Sequence, residues 1–311
     1  MRVLFVGLGS IGTRHLKNLY ACCGQRGIPL EVDALRSSAR ELPPATAALL
    51  HRQLTDVSGE EPYDLLFITN PTHLHFKAIQ ALAPHAGCLF IEKPIFEDGS
   101  YALADAGLAG KKAQVASPMR YCATYLALKD ALAGQRVYSA RVLCSSYLPD
   151  WRAGVDYRTV YSAHRDMGGG VTIDLIHEWD YLVDLFGFPL ESFNLKGTYS
   201  ELELDSDDLS VYIARYASML AEVHLDYFGR TYRRTAEFFL KDGTVTADFG
   251  AGTLTLPGGA VLHCEEEVNK RYLREMDAFL DYALGKAPAS PNPPEMALRV
   301  LQLTLGQSTQ L

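Results

Sequence analysis

The sequence predicts an α/β fold in two domains, a doubly wound parallel sheet followed by an α+β domain with a large, mostly antiparallel open sheet. Three observations predict it. The chain opens on a short apolar run, Arg2 to Val6, that breaks directly into Gly7, Gly9 and Gly12 in the order G-x-G-x-x-G. Further apolar runs then alternate with helical stretches up to about residue 117. Beyond residue 190, β-rich segments follow one another, separated by turn signals such as Lys241-Asp242-Gly243. A length of 311 residues suits two domains, placed at 1–118 and 119–311.

The opening turn has the features of a phosphate cradle. Gly7 permits the tight turn, Gly9 lets backbone approach a pyrophosphate, and Gly12 lets helix and strand pack closely, while free N–H groups of the helix face the anion. Ser10 and Ile11 complete the turn, and Thr13 to Tyr20 read as the amphipathic helix after it. Leu30 to Leu35 read as a second strand, whose end selects the cofactor: a carboxylate there suits a free ribose, Arg and Ser suit a 2′-phosphate. Asp33 lies mid-strand, whereas Arg36 and Ser37 sit at the tip, which favours NADP(H) over NAD(H); the alternative is that Arg36 is a solvated loop residue. Leu49 to Thr55 form a short helix and strand region. The strand Tyr63 to Thr69 empties into Asn70-Pro71, where open α/β sheets place ligands, and a helix over about Leu74 to Ala83 begins there. His73 and His75 read either as structural residues of a first helical turn or as contacts to the bound group; His75 is counted with the cofactor side. The strand Gly87 to Ile91 ends in Glu92-Lys93-Pro94, with Glu92 and Lys93 counted with the cofactor contacts, and the proline holds Lys93 extended so that its ammonium is fixed near a nicotinamide.

GLGSIG at the start, NPTHLH after one strand and EKP after the next resemble the Gfo/Idh/MocA family of NAD(P)-dependent oxidoreductases. The run DMGGGVTIDLIHEWDYLVDLFG, Asp166 to Gly187, is similar to that family's glycine-rich approach to its catalytic helix. The resemblance implies a Rossmann domain joined to an α/β domain with an open sheet, and action on sugars, inositols, sugar nucleotides or related polyols. It also points to members that accompany surface-polysaccharide and nonulosonic acid synthesis. The roles it implies are Lys93 holding the reacting oxygen, His177 exchanging the proton, and Asp174 orienting His177 or the substrate. Two alternatives share these residues: a dinucleotide-binding sensor without chemistry, and an enzyme of the same fold that uses a tightly held cofactor for transient oxidation.

Gln114 to Ser117 read as the last strand of the first domain and Pro118-Met119-Arg120-Tyr121 as the crossing, with Arg120 a substrate candidate. A helix over Tyr125 to Ala133 and a strand over Val137 to Tyr147 follow. The loop Leu148 to Arg165 interleaves Trp151, Arg152, Tyr157, Arg158, Tyr161, His164 and Arg165, groups that suit a sugar ring, a phosphate or a carboxylate. The alternative is a surface loop with a hydrophobic anchor. Trp151, Arg152, Tyr157 and Tyr161 join Asp174 and His177 as substrate candidates. Asp174 precedes His177 by three residues where the family pattern has four; either offset puts both on neighbouring parts of one helix face. Counting four from Asp174 would select Glu178 instead. Strands are expected at Ser192 to Tyr199, Leu209 to Tyr216, Leu220 to Phe228, Arg233 to Leu240 and Thr244 to Phe249. If the face of this sheet away from its helices is apolar it needs a partner, and a homodimer is expected there. A helix over Asn269 to Leu284, a proline-rich crossing and a last helix at 295–304, free to pack back on the first domain, complete the chain.

Composition narrows the partners. A formal charge of −8 without a block of Lys or Arg argues against nucleic acid. Met1 leads into a strand without a signal-peptide pattern, and no apolar run reaches membrane-spanning length, so a cytoplasmic protein is expected. The six cysteines show neither C-x-x-C nor paired Cys/His spacing; no metal is expected, and reduced, mostly buried thiols are.

Overall fold

The computed structural model describes residues 1–36 and 41–307. The chain divides into two compact units, Met1–Ser117 with Tyr272–Leu298, and Pro118–Arg271 with the residues from Arg299 on.

In the first unit the apolar runs become six parallel strands, β1 (Arg2–Val6), β2 (Glu31–Leu35), β3 (Arg52–Leu54), β4 (Tyr63–Ile68), β5 (Ala86–Ile91) and β6 (Ala113–Val115). They lie in the order β3-β2-β1-β4-β5-β6. The strands are apolar on both faces because both are covered, as parallel sheets require; Val3, Leu4 and Phe5 are at most 1% exposed. The helices are α1 (Ser10–Gln25), α2 (Pro44–Ala47) and α3 (His75–Leu82). Since β1 is flanked by β2 on one side and β4 on the other, successive crossovers leave it in opposite directions, opening a crevice beyond its carboxyl end. Helix α1 starts three residues before the expected Thr13 and runs five past Tyr20, because its first turn is the glycine turn itself, which has no apolar periodicity to read.

The division at 119 is corrected in one respect. Helix α7 (Asn269–Ala283) buries Met276, Phe279 and Leu280 in the core that also holds Val3, Phe5, Phe67 and Phe90. The Phe279 ring lies edge-on to Phe67 and Phe90, at 5.6 and 5.1 Å. Arg26 at the end of α1 pairs with Asp277 at 3.0 Å and Asp281 at 2.6 Å. The second domain is therefore not the continuous stretch 119–311: residues 272–298 return to the first unit. An amphipathic stripe names a buried face but not the core that buries it.

The second unit holds an eight-stranded sheet. Its strands are β7 (Ser139–Tyr147), β8 (Glu191–Gly197), β9 (Leu209–Arg215), β10 (Leu220–Asp226), β11 (Phe228–Leu240), β12 (Gly243–Asp248), β13 (Thr253–Thr255) and β14 (Val261–His263). The order is β14-β13-β12-β11-β7-β10-β9-β8, antiparallel throughout except for β7 and β10. β13 and β14, three residues each, are too short for an alternation to show. Helices α4 (Ala123–Leu132), α5 (Val171–Asp174) and α6 (His177–Phe186) belong to this unit, and α8 (Pro294–Thr304) starts in the first unit's residues and ends in the second's, where Tyr212 Oη donates to the Thr304 carbonyl at 2.6 Å. One sheet face buries Val142, Tyr212, Val223, Phe238 and Val245, with Trp179 of α6 edge-on to Tyr212 at 5.2 Å. On the other face the register pairs Phe193 with Ile213, and Phe193 is 68% and Leu195 78% exposed. That face is mixed rather than uniformly apolar: Arg141 and Glu222 form an ion pair near its centre.

Candidate functional site

In the first unit a cavity of about 910 Å³ lies beyond the carboxyl ends of β1, β2 and β4. Gly7, Gly9, Ser10, Arg36, Asn70 and Pro71 line it. Gly7 has φ +90°, a backbone region costly for other residues. A Cβ on Gly12 would meet the Gly7 carbonyl oxygen at 2.2 Å, so only glycine lets α1 approach the turn. A Cβ on Gly9 would project into open space, the room a pyrophosphate needs to reach the backbone. Thr69 Oγ1 donates to the Gly7 carbonyl at 2.5 Å and ties the ends of β1 and β4 together. This donor set, with backbone amides at a helix start and no competing carboxylate in the turn, fits a dinucleotide phosphate.

In the middle of β2, Asp33 is fully buried and committed inward. It accepts hydrogen bonds from Arg52 at 2.6 Å and Tyr63 Oη at 2.8 Å, with His51 Nδ1 at 3.3 Å. Burial pushes its carboxyl up, but these hydrogen bonds outweigh burial and hold it below the usual range. Arg36 stands on the cavity wall and donates to Gln53 Oε1 at 2.6 Å; Glu41 shares that wall. Ser37 lies outside the described residues. The one cluster of possible metal ligands among the described residues, Glu31, Asp33 and His51, already holds the Arg52 guanidinium.

Ile11, Gly12, His75, Glu92 and Lys93 do not line the cavity. His75, expected on the cofactor side, is 1% exposed and clamped between carbonyls: Nε2 is 3.0 Å from Asn70 O, and Nδ1 lies 3.1 and 3.2 Å from Pro94 O and Ile95 O. Either tautomer finds an acceptor. Burial holds the imidazole below its usual value against these bonds. Glu92 is likewise turned inward, with Oε1 2.5 Å from His15 Nε2 and Oε2 accepting from the Lys93 backbone N–H at 3.1 Å. Both residues support the loops rather than face the cavity. Lys93 is half-buried at the end of β5 and precedes a cis proline.

In the second unit Asp174 ends α5 and His177 starts α6. The single helix expected here is broken at Leu175–Ile176, where Ile176 N bonds Ile173 O and Glu178 N bonds Leu175 O, each at 3.3 Å. These are i→i+3 bonds, and in such a tightened turn residues three apart eclipse one another. The three-residue spacing of Asp174 and His177 thus matches a local tightening of the backbone. Asp174 accepts from Tyr161 Oη at 2.7 Å and from Tyr227 Oη at 2.5 Å. The Asp174 charge, with burial and the hydrogen bond, pushes the Tyr161 phenol well up. Glu178, the alternative counted from Asp174, is fully buried and chelated by Arg234, at 2.7 and 3.0 Å, whereas His177 is half-buried.

Arg120 is corrected from a substrate residue to a buried structural one. Its three guanidinium nitrogens reach Asp180 at 2.9 and 2.6 Å and Asp184 at 3.3 Å, leaving its charge neutralised by its own unit. Tyr157 Oη accepts from the Glu203 amide at 2.9 Å, and Arg158 pairs with Asp156 and Glu203, so both serve the loop. Trp151, 39% exposed, donates from Nε1 to Ser146 Oγ at 3.1 Å and meets Tyr227 edge-on at 5.3 Å. The crevice between Trp151, exposed Arg152 and Tyr157 holds only about 10 Å³, room for a water rather than a sugar. Sequence reasoning missed Tyr227 and His15; Tyr227 lay inside the expected strand Leu220 to Phe228, whereas the observed strand ends one residue before it.

Residues 1–117 match the Gfo/Idh/MocA oxidoreductase family, described as an NAD-binding Rossmann fold. No curated protein matches the sequence. Among solved structures, a levoglucosan dehydrogenase in complex with NADH and levoglucosan is 19% identical with a TM-score of 0.82, covering 98% of this chain and 95% of its own. The WlbA dehydrogenase from Bordetella pertussis, in complex with NADH and UDP-GlcNAcA, is 18% identical with a TM-score of 0.80, covering 98% and 94%. UDP-N-acetylglucosamine 3-dehydrogenase GnnA from Acidithiobacillus ferrooxidans is 19% identical with a TM-score of 0.76, covering 98% and 95%. These likenesses establish the fold along nearly the whole chain. No helix among the described residues is long and apolar enough to cross a membrane.

Proposed function

From the premise that residues 1–117 are a Gfo/Idh/MocA NAD-binding Rossmann domain, we propose that the chain is an NAD(P)-dependent oxidoreductase acting on a secondary alcohol or ketone of a sugar, sugar nucleotide or polyol. The observation that carries it is the glycine-lined cavity at the switch point of the parallel sheet, in a chain that also holds Lys93, Asp174 and His177. A bound nicotinamide supplies hydride exchange at its C4. Lys93 holds the reacting oxygen and stabilises charge on it. His177 exchanges the proton, since an imidazole titrates near neutral pH. Asp174, oriented by Tyr161 and Tyr227, fixes the acceptor geometry of that helix start. Sugar-directed neighbours support the substrate class, and the two dehydrogenases that act on or bind UDP-sugars support a sugar nucleotide within it, in keeping with a place in surface-polysaccharide or nonulosonic acid metabolism. The test is a panel of free sugars, inositols and UDP-sugars followed by NAD(P)H absorbance; cofactor binding without turnover across the panel would favour a sensor.

NADP(H) is the proposed cofactor, since Asp33 is consumed by Arg52 and Tyr63 while Arg36 reaches the cavity wall. A hydrogen bond to a charged group contributes about 1.5–3 kcal/mol, so Arg36→Ala should weaken NADPH binding roughly ten- to hundredfold and leave NADH binding little changed. Fluorescence titration reads both, and equal losses for the two nucleotides would reject the assignment. The exposed Phe193, Leu195 and Ile213 suit a second copy of the chain, so light scattering at micromolar concentration should give a dimer mass; a monomer mass counts against it. A cytoplasmic location accords with six free thiols, five of them buried.

A further inference from the structure

Two buried histidines bracket Lys93. On the far side His75 faces the carbonyls of Pro94 and Ile95. On the near side the Lys93 amide donates to Glu92 Oε2, and Glu92 Oε1 lies 2.5 Å from Nε2 of His15. His15 is 0% exposed, in the second turn of α1, three residues beyond Gly12 of the glycine turn. Its ring packs tilted against Phe90 at 4.8 Å and edge-on to Tyr272 at 6.0 Å. His15 Nδ1 is buried with no hydrogen-bond partner among the described residues, so the bond to Glu92 is the one polar contact that orients the ring. A carboxylate acceptor at that distance requires the hydrogen on Nε2.

We propose that His15, acting through Glu92, is a positioning residue for Lys93, linking the helix that starts at the cofactor turn to the backbone of the lysine. The physical reason is the cost of a buried carboxylate. Glu92 is 8% exposed; burial pushes its carboxyl up, and the His15 hydrogen bond and charge, with the Lys93 charge, outweigh burial and keep it ionised. Without a donor at Nε2 the carboxylate must take a proton or turn away, and either change withdraws the acceptor that fixes the Lys93 amide. The inference rests on the role given to Lys93 above, but its geometry lies wholly within the first unit.

The test compares His15→Leu, His15→Gln and Glu92→Gln with the wild type. The first readout is acetic anhydride labelling of the cofactor-free protein, followed lysine by lysine by mass spectrometry. Leu should change the Lys93 labelling rate and leave other lysines unchanged, while Gln, which restores a donor near Nε2, should return it towards wild type. Glu92→Gln should repeat the Leu effect, because one amide cannot accept from both His15 and the Lys93 amide. The second readout is steady-state turnover: a misplaced lysine should lower kcat by roughly 10- to 100-fold with KM little changed. Unchanged Lys93 labelling in His15→Leu, or equal defects in the Leu and Gln variants, would overturn the proposal. If His15→Leu does not fold, unchanged labelling in Glu92→Gln does the same. Altered Lys93 labelling in His15→Leu, together with a wild type that turns over no substrate, would sink the oxidoreductase reading and leave the positioning role standing.

Discussion

Replacing Lys93 by Met should lower kcat by roughly a hundred- to a thousandfold, the usual cost of losing one preorganised charge at a reacting oxygen. Met keeps the length and apolar stem of the side chain and removes only the ammonium. The backbone anchor survives, because Glu92 binds the Lys93 amide and His75 faces the next two carbonyls. Cofactor affinity should therefore stay close to wild type by fluorescence titration while turnover collapses, and kcat and kcat/KM should fall together. An active Met variant would remove Lys93 from the chemistry.

His177→Ala should lower turnover about a hundredfold or more, the scale of positioned proton transfer. The side chain is half-buried at the first position of α6, so its loss leaves no large cavity. Glu178→Gln is the contrasting variant: that carboxylate sits against Arg234 in the core, and its loss should register in thermal stability first. Near-normal turnover in His177→Ala would refute the assignment.

The glycine turn, the mid-strand place of Asp33 and the ends of β4 and β5 were legible because each depends on a few consecutive residues. What the sequence hid depends on partners far along the chain. Arg120 reads as a substrate contact until Asp180, sixty positions on, is placed against it. Glu92 reads as a cofactor contact until His15, 77 positions earlier, is found on its carboxylate. The odd spacing of Asp174 and His177 was visible, but its resolution lies in backbone bonds around Leu175 that no apolar pattern encodes. Tyr161 was named from its loop, whereas Tyr227, the second donor to the same carboxylate, looked like ordinary strand.

Phe279 can reach its place against Phe67 and Phe90 only after the strands of the second unit have been synthesised, because β7 to β14 lie between them in the chain. Until then the nascent N-terminal sheet presents an uncovered aromatic flank, the kind of surface on which unfinished chains associate. The unit whose strands are made first is thus closed only by a segment that follows the strands of the second unit in the chain.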